Sequence, residues 1–279
     1  SVLVTADDPN ALEAAAARLS SAGPLVSFLG VKQFADGSFG GHTAAMNEPF
    51  TDLDTLGTLR IDGGTARMAR AALAMGGRAA VHAIGDRANS AVLDLFEALI
   101  DEGADPADLR IEHASVLTNP DLHRMSSLGV TAVVQPAFLV SEAEWLEDRL
   151  GADRIHRTYA FRSLLEAGVP LAGSSDCPVE PPSPWWGMAA ARDRAGLTPA
   201  EQLTGVEAFA LFTTGAAAAV GSPLLEPGNP ADLAMVDRDP FEVTPNGLRS
   251  TGVAATFISG ERVSVPPDPI VWHAGSAAN

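Results

Sequence analysis

The chain has 279 residues, enough for one large α/β domain or two small ones, and 46% of them are apolar, which suits a packed globular core. A net charge of -17 without any basic cluster excludes nucleic acid and anionic membrane as expected partners, and no apolar run approaches the ~20 residues of a transmembrane helix. The single cysteine, Cys177, excludes an internal disulfide framework; with no basic leader segment opening the chain, a reducing, cytoplasmic setting is expected.

In chain order, 1–5 reads as a buried strand. Asp8 and Pro9 then supply the N-cap and first position of a helix that Gly23 closes. The stretch 25–34 is a strand with Lys32 near its end, and a long Gly-rich segment through Phe50 is the expected substrate loop. A helix over 65–75 leads to a strand over 79–82 that ends on His82. Gly85 turns the chain, and Asp86 begins a helix to Ile100 whose apolar face includes Val92, Phe96 and Leu99. The strand 109–113 ends on a second histidine, His113. Asn119 and Pro120 cap a helix closed by Gly129, and a strand over 130–135 ends on Gln135. A helix over 154–167 and a strand over 169–175 follow, and Asp176 stands at that strand's end. A proline-rich loop with Glu180 leads to Trp185 and Trp186, then a largely helical, alanine-rich run over 198–220. Beyond Gly228, stretches 232–236, 253–258 and 261–265 read as short antiparallel strands.

Strands alternating with helices imply a parallel sheet. Six such strands are counted, two short of a closed (β/α)8 barrel. Lys32, His82, His113 and Asp176 all fall at strand ends, spaced by whole strand-plus-helix repeats, so they would ring one end of the sheet. Two imidazoles and a carboxylate there make a zinc-type site with a position left for water, and the aspartate can accept that water's proton. Lys32 is the lone lysine among 18 basic residues, as expected where a primary amine is required and guanidinium cannot replace it. Each residue also has a structural reading: a histidine bonded in the core, Asp176 capping its turn, Lys32 in a buried ion pair. His42, His123, His156 and His273 read as loop or helix-surface residues. Glu112, alternating with His113, is expected to face the helices and pair there, while Asp86 and Arg87 cap a helix and brace the site.

The stretches VKQFADGSFGGHTAA, VHAIGDRANSAVLD, RIEHA, VVQPAF, EDRLG, AGSSDCPVEPPSPWWG and PGNPADLAMVDRDP together resemble the amidohydrolase superfamily. The likeness is to its amidohydrolase-3 branch, which includes the YtcJ-like proteins and N-substituted formamide deformylases. The resemblance implies a distorted barrel that hydrolyses amide, formamide or related C–N bonds in a small-molecule substrate with one or two divalent metals, zinc first. By position, Lys32 is similar to a lysine carboxylated to bridge two metals, His82 and His113 to metal ligands, and Asp176 to the aspartate that binds metal and acts as general base. His42, where many relatives carry arginine, joins Gln135 and Trp186 as a candidate substrate contact. No His-x-His motif, which the family carries on its first strand, occurs in this sequence. The expected fold is therefore α/β: a partial (β/α)8 barrel over 1–222, about strands three to eight, with a piece of a small β-sandwich over 223–279. Such a fragment is expected to pair with a missing N-terminal half of the same protein or with a second copy. A non-catalytic binding module is the alternative.

Overall fold

The computed structural model describes residues 1–263. Six strands form one parallel sheet in chain order: β1 (Val2–Val4), β2 (Phe28–Phe34), β3 (Arg78–Ala83), β4 (Leu109–His113), β5 (Thr131–Val134) and β6 (Leu171–Gly173). Four helices stand between the first five strands: α1 (Pro9–Ser20), α2 (Gly63–Ala74), α3 (Asp86–Asp101) and α4 (Asn119–Leu128). Among the described residues β1 and β6 each pair on one side only. Helix starts follow the local chemistry. The Asp8 carboxylate accepts from the Asn10 and Ala11 amides at 3.4 and 3.2 Å, with Pro9 at the first helical position. Gly129 ends α4 in the left-handed conformation at φ 74°.

The two faces of the sheet differ in chemistry. On one, Ala79, Val81, Leu109 and Ile111 pack with Ala69, Val92, Phe96 and Leu99 of α2 and α3. Each large side chain buried in this layer contributes roughly 1.5–3 kcal/mol. Strand register places Phe34, His82, Glu112, Val133 and Ala172 level with one another on the opposite face. Val133 and Ala172 pack there with Ala219. Beyond Gly228 the chain forms a small antiparallel sheet, β7 (Leu233–Val236), β8 (Val253–Ile258) and β9 (Glu261–Val263). Val265 and His273 lie outside the described residues.

Two expected helices are broken, and tertiary bonds account for both. The run expected over 154–167 is two short helices, Ala152–Ile155 and Phe161–Glu166. Between them Thr158 bridges to Val116 and the Tyr159 amide donates to Ser115 O at 2.7 Å, which draws the chain onto the end of β4. The alanine-rich run divides into Gly205–Ala210, a π-turn over Leu211–Gly215, and Ala216–Val220. Here Gly215 lies against β6 so closely that a Cβ would stand 2.2 Å from Leu171 O, and only glycine fits.

Candidate functional site

The ends of β3 and β4 bring two histidines together. The His82 and His113 rings meet edge to face with centroids 4.5 Å apart, and His113 stacks on Phe138 at 5.7 Å. Strict alternation would aim His113 at the helices, because Ile111 of the same strand is on that face. His113 escapes it by adopting φ 78°, followed by Ala114 at φ 45°, so the strand ends by swinging the imidazole towards His82. Its Nδ1 is buried and has no hydrogen-bond partner. Burial first, then the charges of His82 and Lys32, holds this imidazole well below the ordinary histidine range. It is therefore neutral at pH 7 and keeps a lone pair for a ligand.

The His82 Nε2 lies 2.8 Å from Gly37 O, an acceptor that cannot donate, so Nε2 carries the proton in the neutral ring. The lone pair is then on Nδ1. Lys32 is half-buried on the same face, with its Nζ 5.1 Å from the centre of the Phe34 ring. Burial lowers the pKa of its ammonium, while Glu112 and Asp176 raise it. Asp176 stands exposed at the rim beyond β6, at φ 54°. What desolvation it has lifts its carboxyl above the ordinary range, and Lys32 and His82 pull it down. Lys32, His82 and His113 lie at or near the C-terminal ends of β2, β3 and β4, and Asp176 lies just beyond that of β6.

The expectation for Glu112 is corrected. It shares the level of His82 on the face opposite α2 and α3, and its Oε1 pairs with Arg110 Nε at 2.5 Å, both side chains nearly buried. Alternation was read from His113, the one residue of the strand that breaks it. Gln135 is buried, its amide donating to Val133 O at 3.0 Å and to Ser174 Oγ at 2.8 Å, while its Oε1 lacks a partner. His42 sits apart, bonded through Nε2 to Asp52 at 3.0 Å and edge-on to Phe50. Trp186 lies on the helix Pro184–Asp193 with 37% of its surface exposed. The residue that sequence reasoning missed is Asp36, a fully buried carboxylate 3.2 Å from His82 Nε2. Its only sequence signal was an acidic residue between Ala35 and Gly37, immediately after a strand.

As a cradle for a cation the set is suitable but open. The buried, unpartnered nitrogen of His113, the lone pair of His82 and the Asp176 carboxylate are donors that suit a zinc-type ion. Among the described residues, no three His, Cys, Asp or Glu side chains already converge on one point.

A model of the amidohydrolase family matches residues 3–264. The chain belongs to that family. It is 32% identical over 255 residues to YtcJ of Bacillus subtilis (strain 168), a match that covers 86% of this chain and 48% of that protein. It is 32% identical over 191 residues to the N-substituted formamide deformylase of Arthrobacter pascens, covering 65% and 35%. Among solved structures, a metal-dependent hydrolase from Pyrococcus horikoshii OT3 superposes with a TM-score of 0.76 at 32% identity, covering 88% of this chain and 51% of that one. The chain thus spans about half, or less, of the length of these relatives.

Two further features of this amidohydrolase-family chain lie outside the strand-end set. An apolar cavity of about 800 Å³, lined by Trp185, Met188, Phe212, Leu225, Val236 and Phe241, lies between the post-β6 helices and the small sheet, and none of the four strand-end residues lines it. Closer by, Glu142 is one helical turn beyond Phe138 and accepts from the Tyr159 hydroxyl at 2.6 Å. Burial pushes the Glu142 carboxyl up to about 7, nearby Glu180 adding to the effect and the Tyr159 bond opposing it. The folded chain therefore binds this proton more tightly than the unfolded one, and stability is lost as pH rises from about 4.5 to about 7. Glu142→Gln is expected to match the parent at pH 4 and to be on the order of 1–3 kcal/mol more stable at pH 8. Urea unfolding at the two pH values checks this. Equal stabilities at pH 8 would count against it.

Proposed function

We propose that this chain supplies the metal ligands and general base of a hydrolase acting on amide, formamide or related C–N bonds of a small molecule. The observation that carries the reading is the His82–His113 pair, edge to face at adjacent strand ends, with a neutral, buried imidazole whose Nδ1 has no partner. Supporting it are the family match, the formamide deformylase among the relatives and the metal-dependent hydrolase among the structures. Lys32, His82, His113 and Asp176 would hold one or two divalent ions, zinc first given imidazole and carboxylate donors. A bound metal would supply activation of a water and polarisation of the substrate carbonyl. Asp176, exposed at the rim, takes the proton of that water on a carboxylate oxygen and passes it to the departing nitrogen. Burial lowers the pKa of the Lys32 ammonium, and its neutral amine is the form that would add CO2, releasing a proton, to become a carbamate. The Gly-rich loop with His42, together with Gln135 and Trp186, shapes the substrate side.

In this reading β1 to β6 are strands three to eight of a (β/α)8 barrel over residues 1–222, and the small sheet beyond is part of a separate sandwich. The remainder of a longer protein, or a second copy, would complete the barrel along the open edges of β1 and β6. A second reading, a non-catalytic binding module, is favoured by one observation: no three ligand-type side chains converge among the described residues. Elemental analysis of the purified chain, followed by assay on N-substituted formamides and simple amides, separates the two. Near-stoichiometric zinc or a similar metal is expected. A folded chain that takes up no metal would sink the claim for the chain alone and leave the binding module.

A further inference from the structure

We infer that Asp36 is a positioning residue that aims the His82 imidazole so that Nδ1 faces the ion, an inference that rests on the metal site proposed above. One carboxylate here gathers two separate segments. Its Oδ2 accepts from the Ala45 and Gly85 amides, each at 2.8 Å, and its Oδ1 from the Ile84 amide at 3.1 Å. Those amides belong to the far limb of the Gly-rich loop and to the turn between β3 and α3. Close packing is obligatory at this junction, because a Cβ on Gly85 would stand 2.0 Å from Ala45 O. The Oδ1 also lies 3.2 Å from His82 Nε2, whose proton is shared with Gly37 O at 2.8 Å.

Backbone capping alone does not call for an imidazole at this place. Two acceptors on one side of the ring, one of them a carboxylate, favour a single tautomer and oppose ring rotation. A buried carboxylate is costly unless hydrogen-bonded, and three amides meet that demand.

Asp36→Asn tests the inference. It keeps the shape and the oxygen that accepts from Ala45 and Gly85, but turns an NH2 group towards Ile84 N and the His82 Nε2 proton. Zinc affinity, measured by competition with a chromophoric chelator, is expected to weaken about 10–100-fold, the cost of losing an outer partner of a metal-bound histidine. In the metal-free chain, long-range 15N–1H correlation spectra are expected to show His82 solely as the Nε2-protonated tautomer, and as a mixture in Asp36→Asn. Asp121→Asn is the control for a buried carboxylate of purely structural use, since Asp121 accepts from Ser90 and Thr118 hydroxyls, each at 2.6 Å. It is expected to lower the urea midpoint and leave zinc affinity and the His82 tautomer unchanged. Zinc affinity in Asp36→Asn within twofold of the parent, with an unchanged tautomer, would overturn the inference. So would an Nδ1-protonated His82 in the parent, a result independent of whether the variant folds. A parent that binds no zinc yet shows the Nε2-protonated ring would instead refute the metal-site reading and spare the role of Asp36.

Discussion

His82→Ala and His113→Ala are each expected to reduce the bound metal from near-stoichiometric to background while the chain stays folded. The loss should far exceed the ~10–100-fold produced by removing an outer partner, because each variant deletes a donor atom itself. The fold should survive because His113 contributes no hydrogen bond through its buried Nδ1 and sits at the edge of the core, stacked on Phe138. Deleting a buried polar group without a partner removes a desolvation cost along with the packing. Elemental analysis beside urea unfolding separates the two effects. Metal retained at full stoichiometry in either variant would remove that histidine from the ligand set.

The largest stability effect is expected at Arg110. Its guanidinium and the Glu112 carboxylate form an ion pair whose side chains are 10% and 8% exposed, and its Nη1 donates to Ala219 O at 2.9 Å. Arg110→Met removes the hydrogen-bonded partner of the nearly buried Glu112, leaving only the field of Lys32 to offset its charge, and is expected to cost up to ~3–5 kcal/mol. Replacing both partners, Arg110→Met with Glu112→Leu, is expected to recover most of that loss, because two charges no longer need to leave water. Urea unfolding of the two singles and the double closes the cycle. The single change also removes a positive charge that depresses the Lys32 pKa, so the Lys32 amine should become harder to deprotonate. A loss below ~1 kcal/mol for Arg110→Met would mean that the pair behaves as an exposed one.

Much of this was legible in the sequence where local rules govern. The order of the strands and the ends of two of them at Phe34 and His113, along with the caps at Asp8 and Gly129, follow from apolar runs and capping chemistry, and the structure has them at those places, whereas β5 stops at Val134, one residue short of Gln135. The faces of the strand ends were not legible, because alternation holds only while φ stays extended. His113 leaves that region, so the reading referred to it misplaced Glu112. The helix expected through Tyr159 failed for a non-local reason: a carbonyl two residues beyond His113 claims the Tyr159 amide. Asp36 escaped notice because its partners are backbone amides of Ala45, Ile84 and Gly85, which no sequence pattern encodes. Strand-end spacing singled out Lys32, His82, His113 and Asp176, and the family resemblance gave them roles; the geometry adds how two of them are held.

The Asp36 junction also sets which parts of the molecule can vary. A loop anchored through its own backbone to a second loop cannot be exchanged alone, because its replacement must restore the same three amides. By contrast, the segment after β6 is tied to the helix Phe138–Glu142 by a side-chain hydrogen bond between Ser141 and Glu180 at 2.5 Å, not by backbone amides gathered on a buried carboxylate. New substrate preferences should therefore arise by insertion and replacement after Asp176, on a scaffold whose histidine side stays frozen.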